Sequence, residues 1–321
     1  MKQVIIKTLP FLILLIGLSS CLKEAPMNID VSKTNNVIEF NNTGDNKATA
    51  SSEFPRFHSD LGTIAPGDSA TFNVNVSYSG ADVAPQDITV TLAVDEAALE
   101  KYNAEDGTDY VVPPSTIYSF PTTVVIKQGT RQTQVEVSVI SSSDFDFNVN
   151  YALPLKITTV STGIISANFS TAIYSFGARN LRDGHYTVTG TFSDITNPAF
   201  ESVYPMDISF ITSSGNSVDV YNNDLGNYGY LFYTGSGYSY YGSFGVRIFF
   251  DAAGKVTSVT NLYGQPASNT RSAMLDPSGV NAFDENGNLK IKYYMLQPSA
   301  VPGDPAIRCY FDETYEYLGP R

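Results

Sequence analysis

The feature that most limits what this chain can become is a period of two. Ala70, Phe72, Val74, Val76 and Tyr78 alternate with polar residues, and so do Ile88, Val90, Leu92 and Val94; Val135, Val137 and Val139 repeat the pattern. Successive side chains of an extended chain point to opposite faces, so this alternation selects strands with one face on a core and the other in water. Clusters of Gly, Pro, Asn and Asp break the runs at short intervals, as antiparallel hairpins do and crossover helices do not. One helix is expected in the first half: Asp95 caps Glu96 to Tyr102, Leu99 and Tyr102 share a face, and the segment stops near Asn103 and Gly107. Strands at this density over residues 36–178 predict an Ig-like β-sandwich, whose usual complement is about seven.

A boundary is expected near Gly177-Ala178-Arg179-Asn180, with a second domain over 180–321. Strands are predicted there at 185–193, 204–212, 217–221, 228–234, 244–250, 255–262, 289–296 and 306–318. Phe250 to Val256 and Phe283 to Leu289 each place a glycine, Gly254 and Gly287, where a tight turn needs positive φ. Strands joined by short turns can close into an antiparallel, calycin-like β-barrel, which removes exposed edges. A second sandwich fits the same pattern. The fold class is all-β throughout.

The N-terminus carries an address. Lys2 and Lys7 precede an apolar run from Leu9 to Leu18, and Leu18-Ser19-Ser20-Cys21 follows. A basic start, an apolar core of roughly 7–15 residues and a small-residue site describe a secretory signal, and the run is shorter than the ~20 residues that span a bilayer. The segment resembles a lipobox. That resemblance implies cleavage after residue 20, a lipid on Cys21, and a tether over 21–35 that anchors the chain to a membrane. Leu22 stands where an inner-membrane retention signal would have Asp, and Lys23-Glu24 resembles the surface-export signal of Bacteroidetes lipoproteins. The expected location is the outer membrane, on the cell surface.

Charge and cysteine count narrow the chemistry. With 19 Lys and Arg against 32 Asp and Glu, the net charge is −13. Nucleic-acid binding rests on cations that neutralise phosphates, so that partner is excluded. The cysteines are Cys21 and Cys309, too few for a thiolate zinc site. Cys309 lies in a strand-like run and reads as a buried, inert thiol. His58 and His185 are far apart and form no metal-spaced pair. Asp284-Glu285-Asn286-Gly287-Asn288 looks superficially like a calcium loop, but its glycine and acids are misplaced, and a hairpin turn is favoured. Asp144-Phe145-Asp146-Phe147-Asn148, which could offer oxygens from one side of a strand, has the same bland reading. No nucleophile elbow or phosphate loop is present. No cofactor or metal is expected.

Several segments, taken in order, carry a family resemblance: Ile88 to Asp95, Leu99 to Asn103, Gly107 to Tyr110, Val124 to Thr130 and Tyr151 to Ile157. Over roughly residues 30–176 the chain resembles the N-terminal domain of unknown function common in Bacteroidetes surface lipoproteins. The resemblance implies a place beside starch-utilisation-type glycan-import systems, with an outer-membrane transporter complex as a partner. Some relatives carry a family-18 glycoside hydrolase; its Asp-x-x-Asp-x-Asp-x-Glu signature is missing here, and the second half looks like the other kind, a β-rich domain of unknown function.

The informative segment runs from Tyr228 to Phe244, where tyrosines interleave with glycines. Sugar rings stack their C–H faces on aromatic rings, and tyrosine adds a hydroxyl that pairs with theirs. Tyr228, Tyr230 and Phe232 share a face by period two, for which a core is the favoured place. Tyr238, Tyr240 and Tyr241 lie in a Gly/Ser-rich stretch and are expected to be exposed. The candidate glycan contacts are Tyr238, Tyr240, Tyr241, Tyr233 and Tyr228, with no catalytic residue. The expected role is non-catalytic binding of a polysaccharide or oligosaccharide. A structural or adhesive surface protein, or a glycan-active enzyme of unrecognised type, are the alternatives.

Overall fold

A computed structural model describes residues 35–41 and 45–321. Cys21 and the tether lie outside the described residues. The first half contains β1 (Val37–Asn41), β2 (Arg56–Thr63), β3 (Ser69–Ser79), β4 (Ile88–Val94), β5 (Tyr118–Ser119), β6 (Thr123–Ile126), β7 (Gln132–Ile140), β8 (Tyr151–Val160), β9 (Ile164–Ile165) and β10 (Thr171–Arg179), with helix α1 (Glu96–Asp106) between β4 and β5. Two five-stranded sheets, β5-β7-β3-β1-β9 and β2-β10-β8-β4-β6, face each other as a sandwich. The period of two sets the register. Phe72, Val74 and Val76 of β3 stand opposite Val137, Val135 and Thr133 of β7, and the Val side chains join Ile88, Val90, Leu153 and Leu155 in one core. Full burial of each such aliphatic side chain stabilises by roughly 1.5–3 kcal/mol. The helix forms where expected: the Asp95 carboxylate accepts from Ala98 N–H at 3.3 Å, Gly107 closes the far end, and Leu99 and Tyr102 are buried.

The second half contains β11 (Gly184–Asp194), β12 (Glu201–Ser202), β13 (Met206–Ser214), β14 (Ser217–Asn222), β15 (Tyr230–Tyr233), β16 (Tyr238–Tyr241), β17 (Val246–Phe250), β18 (Val256–Asn261), β19 (Ser272–Leu275), β20 (Ala282–Phe283), β21 (Leu289–Leu296) and β22 (Ile307–Gly319). The large sheet runs β18-β17-β14-β13-β11-β22-β21-β19, with β20 beside β21, and β12-β15-β16 form a small sheet of their own. The large sheet curls into a nearly closed barrel, so the barrel describes this half and the second sandwich does not. Where β18 meets β19, a side chain completes the seam. The Gln265 side-chain carbonyl accepts from the N–H groups of Asn261 and Ala273 at 2.9 and 3.0 Å, while its amide donates to the Ala273 carbonyl. The expected turns form as read: Gly254 and Gly287 have φ of 80° and 85°, a region glycine enters without steric cost.

The two halves share no sheet. Residues 180–183 join them, and two of their side chains are bonded into the second half. Asn180 donates to the carbonyls of Ser214 and Ser217, and Asp183 accepts from Thr212 and from Arg321. Arg179 reaches both ways, pairing with Asp60 at 2.9 Å and donating to the Arg321 carbonyl at 3.0 Å.

Candidate functional site

The barrel interior is packed with rings. Tyr186, Phe210, Tyr293, Phe311 and Tyr315 fill it, and a void against Glu313, Tyr293 and Tyr315 measures about 20 Å³, room for about one water molecule. Glu313 is the exception among these rings. It is almost fully buried on β22 and accepts from the hydroxyls of Tyr204, Tyr293 and Tyr315 at 2.5, 2.9 and 2.6 Å, while Tyr230 donates to Tyr204. Burial raises its pKa, and the three hydroxyls pull the other way without cancelling the rise. Glu313 was not anticipated, although the signal was available: Cys309, Phe311 and Tyr315 alternate inward on the same strand and carry position 313 with them.

The β15–β16 hairpin packs on this core, and its register sorts the tyrosines. Tyr230 pairs with Tyr241, Leu231 with Tyr240, Phe232 with Ser239, and Tyr233 with Tyr238. Residues directly opposite in an antiparallel pair share a face. The inner face therefore carries Tyr230, Phe232 and Tyr241, which pack on Phe192, Phe200 and Phe311. The outer face carries Leu231, Tyr233, Tyr238 and Tyr240. Exposure agrees with this sorting: Tyr238 is 76% exposed and Tyr240 49%, whereas Tyr241 is 2%.

Tyr241 thus corrects the expectation of a three-tyrosine platform. It is a core residue because the segment is a strand, not a loop, and neighbours in a strand face opposite ways. Its hydroxyl donates to the buried Asp194, and the guanidinium groups of Arg271 and Arg308 sit 5.1 and 5.2 Å from its ring centre. Burial by itself would raise Asp194, but Arg308, Tyr241 and Thr196 outweigh it and hold the carboxyl well below the usual carboxylate range. Arg308 also makes the shortest of the pair's ionic contacts, 2.7 Å. Cys309 lies beneath, fully buried, its thiol pushed up to about 12 by burial.

On the outer face three of the five candidates come together. Tyr233 meets Tyr238 edge to face with ring centres 5.7 Å apart, and Tyr240 lies about 7 Å further along the strand, two residues at ~3.4 Å each. β12 adds a carboxylate that sequence reasoning missed. Glu201 stands opposite Tyr233 in register and is exposed, so it shares the outer face. Tyr228 is elsewhere: half-buried just ahead of β15, it meets Tyr221 edge to face at 5.1 Å. Chemically, the strip offers apolar ring faces at strand spacing with phenol hydroxyls and one carboxylate at its edge.

The other residues singled out in the sequence do simpler work. Asp284 accepts from the N–H groups of Asn286 and Asn288, both at 2.9 Å, which makes it the organiser of its own hairpin turn. Asp144 accepts from Thr116, and Asp146 from Asn148. Their segment is a run of turns rather than a strand. Its Phe145 and Phe147 line an open cleft of about 620 Å³ between the halves, with Leu181, Asn216 and Phe250 opposite. His58 shares a hydrogen bond with Ser175 at 3.1 Å and is lowered by burial and by Arg56; His185 approaches Ser209 at 3.3 Å. Among the described residues no group of three or more His, Cys, Asp or Glu is placed to hold a metal.

Residues 30–164 match a family model described as an N-terminal domain. A solved protein of unknown function from Bacteroides ovatus superposes with a TM-score of 0.54 at 15% identity, covering 81% of this chain and 91% of that one. The chain shares its fold with a Bacteroides protein of unknown function. A multidomain protein including DUF1735 from Bacteroides ovatus matches at 14% identity and a TM-score of 0.43, covering 87% and 93% of the two chains. An auxiliary nutrient binding protein from Bacteroides thetaiotaomicron matches at 14% and 0.41, covering 86% and 94%. No curated protein matches the chain. The resemblance read from residues 30–176 therefore has a counterpart in the family match over 30–164, and the all-β fold has a counterpart in a solved structure.

Proposed function

We propose that the protein is a non-catalytic glycan-binding lipoprotein of the cell surface, in which the sandwich serves as a spacer and the barrel carries the site. One observation supports this above the rest: Tyr238 and Tyr240 stand exposed, with half-buried Tyr233 beside them, on a hairpin whose other face is locked into the barrel core. Exposed rings cost solvation unless something covers them, and rings held on a rigid sheet lose little entropy on binding. A non-catalytic role fits the acids as well. Glycosidases set two carboxylates astride the scissile bond. Here the buried acids, Asp183, Asp194, Asp219 and Glu313, are engaged by their own neighbours, and the register brings one carboxylate, Glu201, to the strip. Capture for an outer-membrane transporter complex follows from the family resemblance.

Calorimetric titration against a glycan panel tests the reading. Replacing Tyr238 and Tyr240 together by Ala should weaken binding of whichever glycan the panel finds about thirtyfold, taking ~1 kcal/mol per ring. Unchanged affinity would move the site off the hairpin, and a panel with no binder would sink the glycan reading. The anchor has its own test. Cys21→Ser should abolish labelling by a palmitate analogue and release the chain from the membrane fraction; labelling that persists would refute lipidation at Cys21.

A further inference from the structure

We infer that the strip is one end of a longer track, and that its ligand is an internal stretch of a polysaccharide chain rather than a chain end or a small saccharide. This rests on the glycan reading above and extends it. The argument starts from two glycines at which contact leaves no room for a side chain. A Cβ on Gly229 would lie 2.8 Å from Cδ2 of Tyr240, so the Tyr240 ring rests directly on the backbone next to Tyr228. A Cβ on Gly245 would lie 2.9 Å from the Tyr228 carbonyl oxygen and 2.5 Å from Leu262. Tyr240 thus packs on the Gly229 backbone alongside Asn227 and Leu225, and the Tyr228 carbonyl and Leu262 close on Gly245, which brings Tyr240, Tyr228 and the Leu262-Tyr263 turn next to one another.

Beyond Tyr228 the surface repeats the chemistry of the strip. Tyr221 meets Tyr228 edge to face, and Tyr263 is 46% exposed. The Tyr228 phenol is raised chiefly by burial, with Asp219, Tyr221 and Tyr263 adding to the rise. Asp219 is held by Arg247 through two contacts, Nε to Oδ1 at 2.6 Å and Nη2 to Oδ2 at 2.9 Å. Asp219 is nearly buried and Arg247 is about a third exposed, so the guanidinium is the member of the pair with N–H donors left to offer a hydroxyl. Two ring clusters, one edged by Glu201 and the other by the Asp219–Arg247 pair, joined where the Tyr240 ring packs on the backbone beside Tyr228, suit a ligand that repeats its own chemistry. A polysaccharide does so; a monosaccharide fills one cluster and leaves the other bare.

The test is affinity against chain length, by calorimetry, with oligomers of the panel's best neutral glycan from two to eight sugars. Wild-type affinity should climb at least tenfold from the shortest to the longest oligomer. Tyr263→Ala, an exposed change that leaves the core intact, should flatten that climb while leaving the shortest oligomer's affinity unchanged; Tyr221→Ala should do the same. Affinity that does not grow with length, or growth that survives Tyr263→Ala, would overturn the track while leaving the strip in place. Loss of all glycan binding in the wild type would instead remove the reading beneath it.

Discussion

The two halves of the molecule solve the same problem with different side chains. The sandwich core is chiefly aliphatic, with Val74, Val76, Val90, Val135, Val137 and Leu153 meeting across the sheets. The barrel core is much richer in aromatic rings, and it admits polar groups: Tyr241 holds Asp194, and Tyr204, Tyr293 and Tyr315 hold Glu313. Aliphatic packing is nearly non-directional, so it fixes a shape and leaves the surface uncommitted. Tyrosines in a core bring hydroxyls that must be satisfied, and those hydroxyls fix orientations as well as positions. A rigid hairpin face is what results, and the candidate site stands on it.

The sharpest way to break this comparison is at Tyr241. Tyr241→Ala removes a ring from the barrel core and leaves Asp194 short of a donor, and should cost about 3–5 kcal/mol, the range for large aromatic truncations. Denaturant unfolding of the full chain measures it. A loss under about 1 kcal/mol would mean that the barrel does not depend on its polar aromatic core.

Acid should expose the same dependence at a smaller scale. Asp194 titrates in the fold below its unfolded value of about 3.9. Its stabilisation is therefore complete above that value and drains away as pH falls toward the folded one. Glu313, raised by burial, has the opposite sign, since its protonated form is the one the fold prefers. Melting curves between pH 5 and 3 should fall less steeply for Asp194→Asn than for the wild type. Equal slopes would show that other carboxylates govern the acid limb.

The smallest effect belongs to the outer face. The Tyr238→Ala, Tyr240→Ala double variant should unfold within about 0.5 kcal/mol of wild type per site, as exposed positions do. A larger loss would show that these rings serve the fold after all.

What the sequence made legible follows the same division. The alternation in β3, β4 and β7 is undisturbed, and the sandwich was readable from it. The barrel's longer strands were also readable, as at 289–296, where the predicted and observed bounds coincide. β16 was not, because Gly235, Ser236, Gly237, Gly242 and Ser243 bracket Tyr238–Tyr241 and their composition reads as loop. That cost the parity of the segment: once it is a strand, adjacent Tyr240 and Tyr241 must part company. Tyr228 was displaced from the strip for a related reason, since it precedes β15 instead of extending its alternation. Glu201 left no local trace. Its place depends on a two-residue strand meeting a partner some thirty positions away, and such pairings are written in tertiary contacts.

The splice at residues 180–183 has a mechanical meaning. Asn180 and Asp183 are bonded into the barrel, and Arg179 is bonded to Asp60 on one side and to the Arg321 backbone on the other. These bonds oppose free swivelling at the point where a flexible linker would allow it. A drag on a polymer lying along the tyrosines would then reach the sandwich as torque, and the pair would respond as a lever instead of two beads on a string. Whatever fixes the heading of the sandwich also aims the hairpin's tyrosine face.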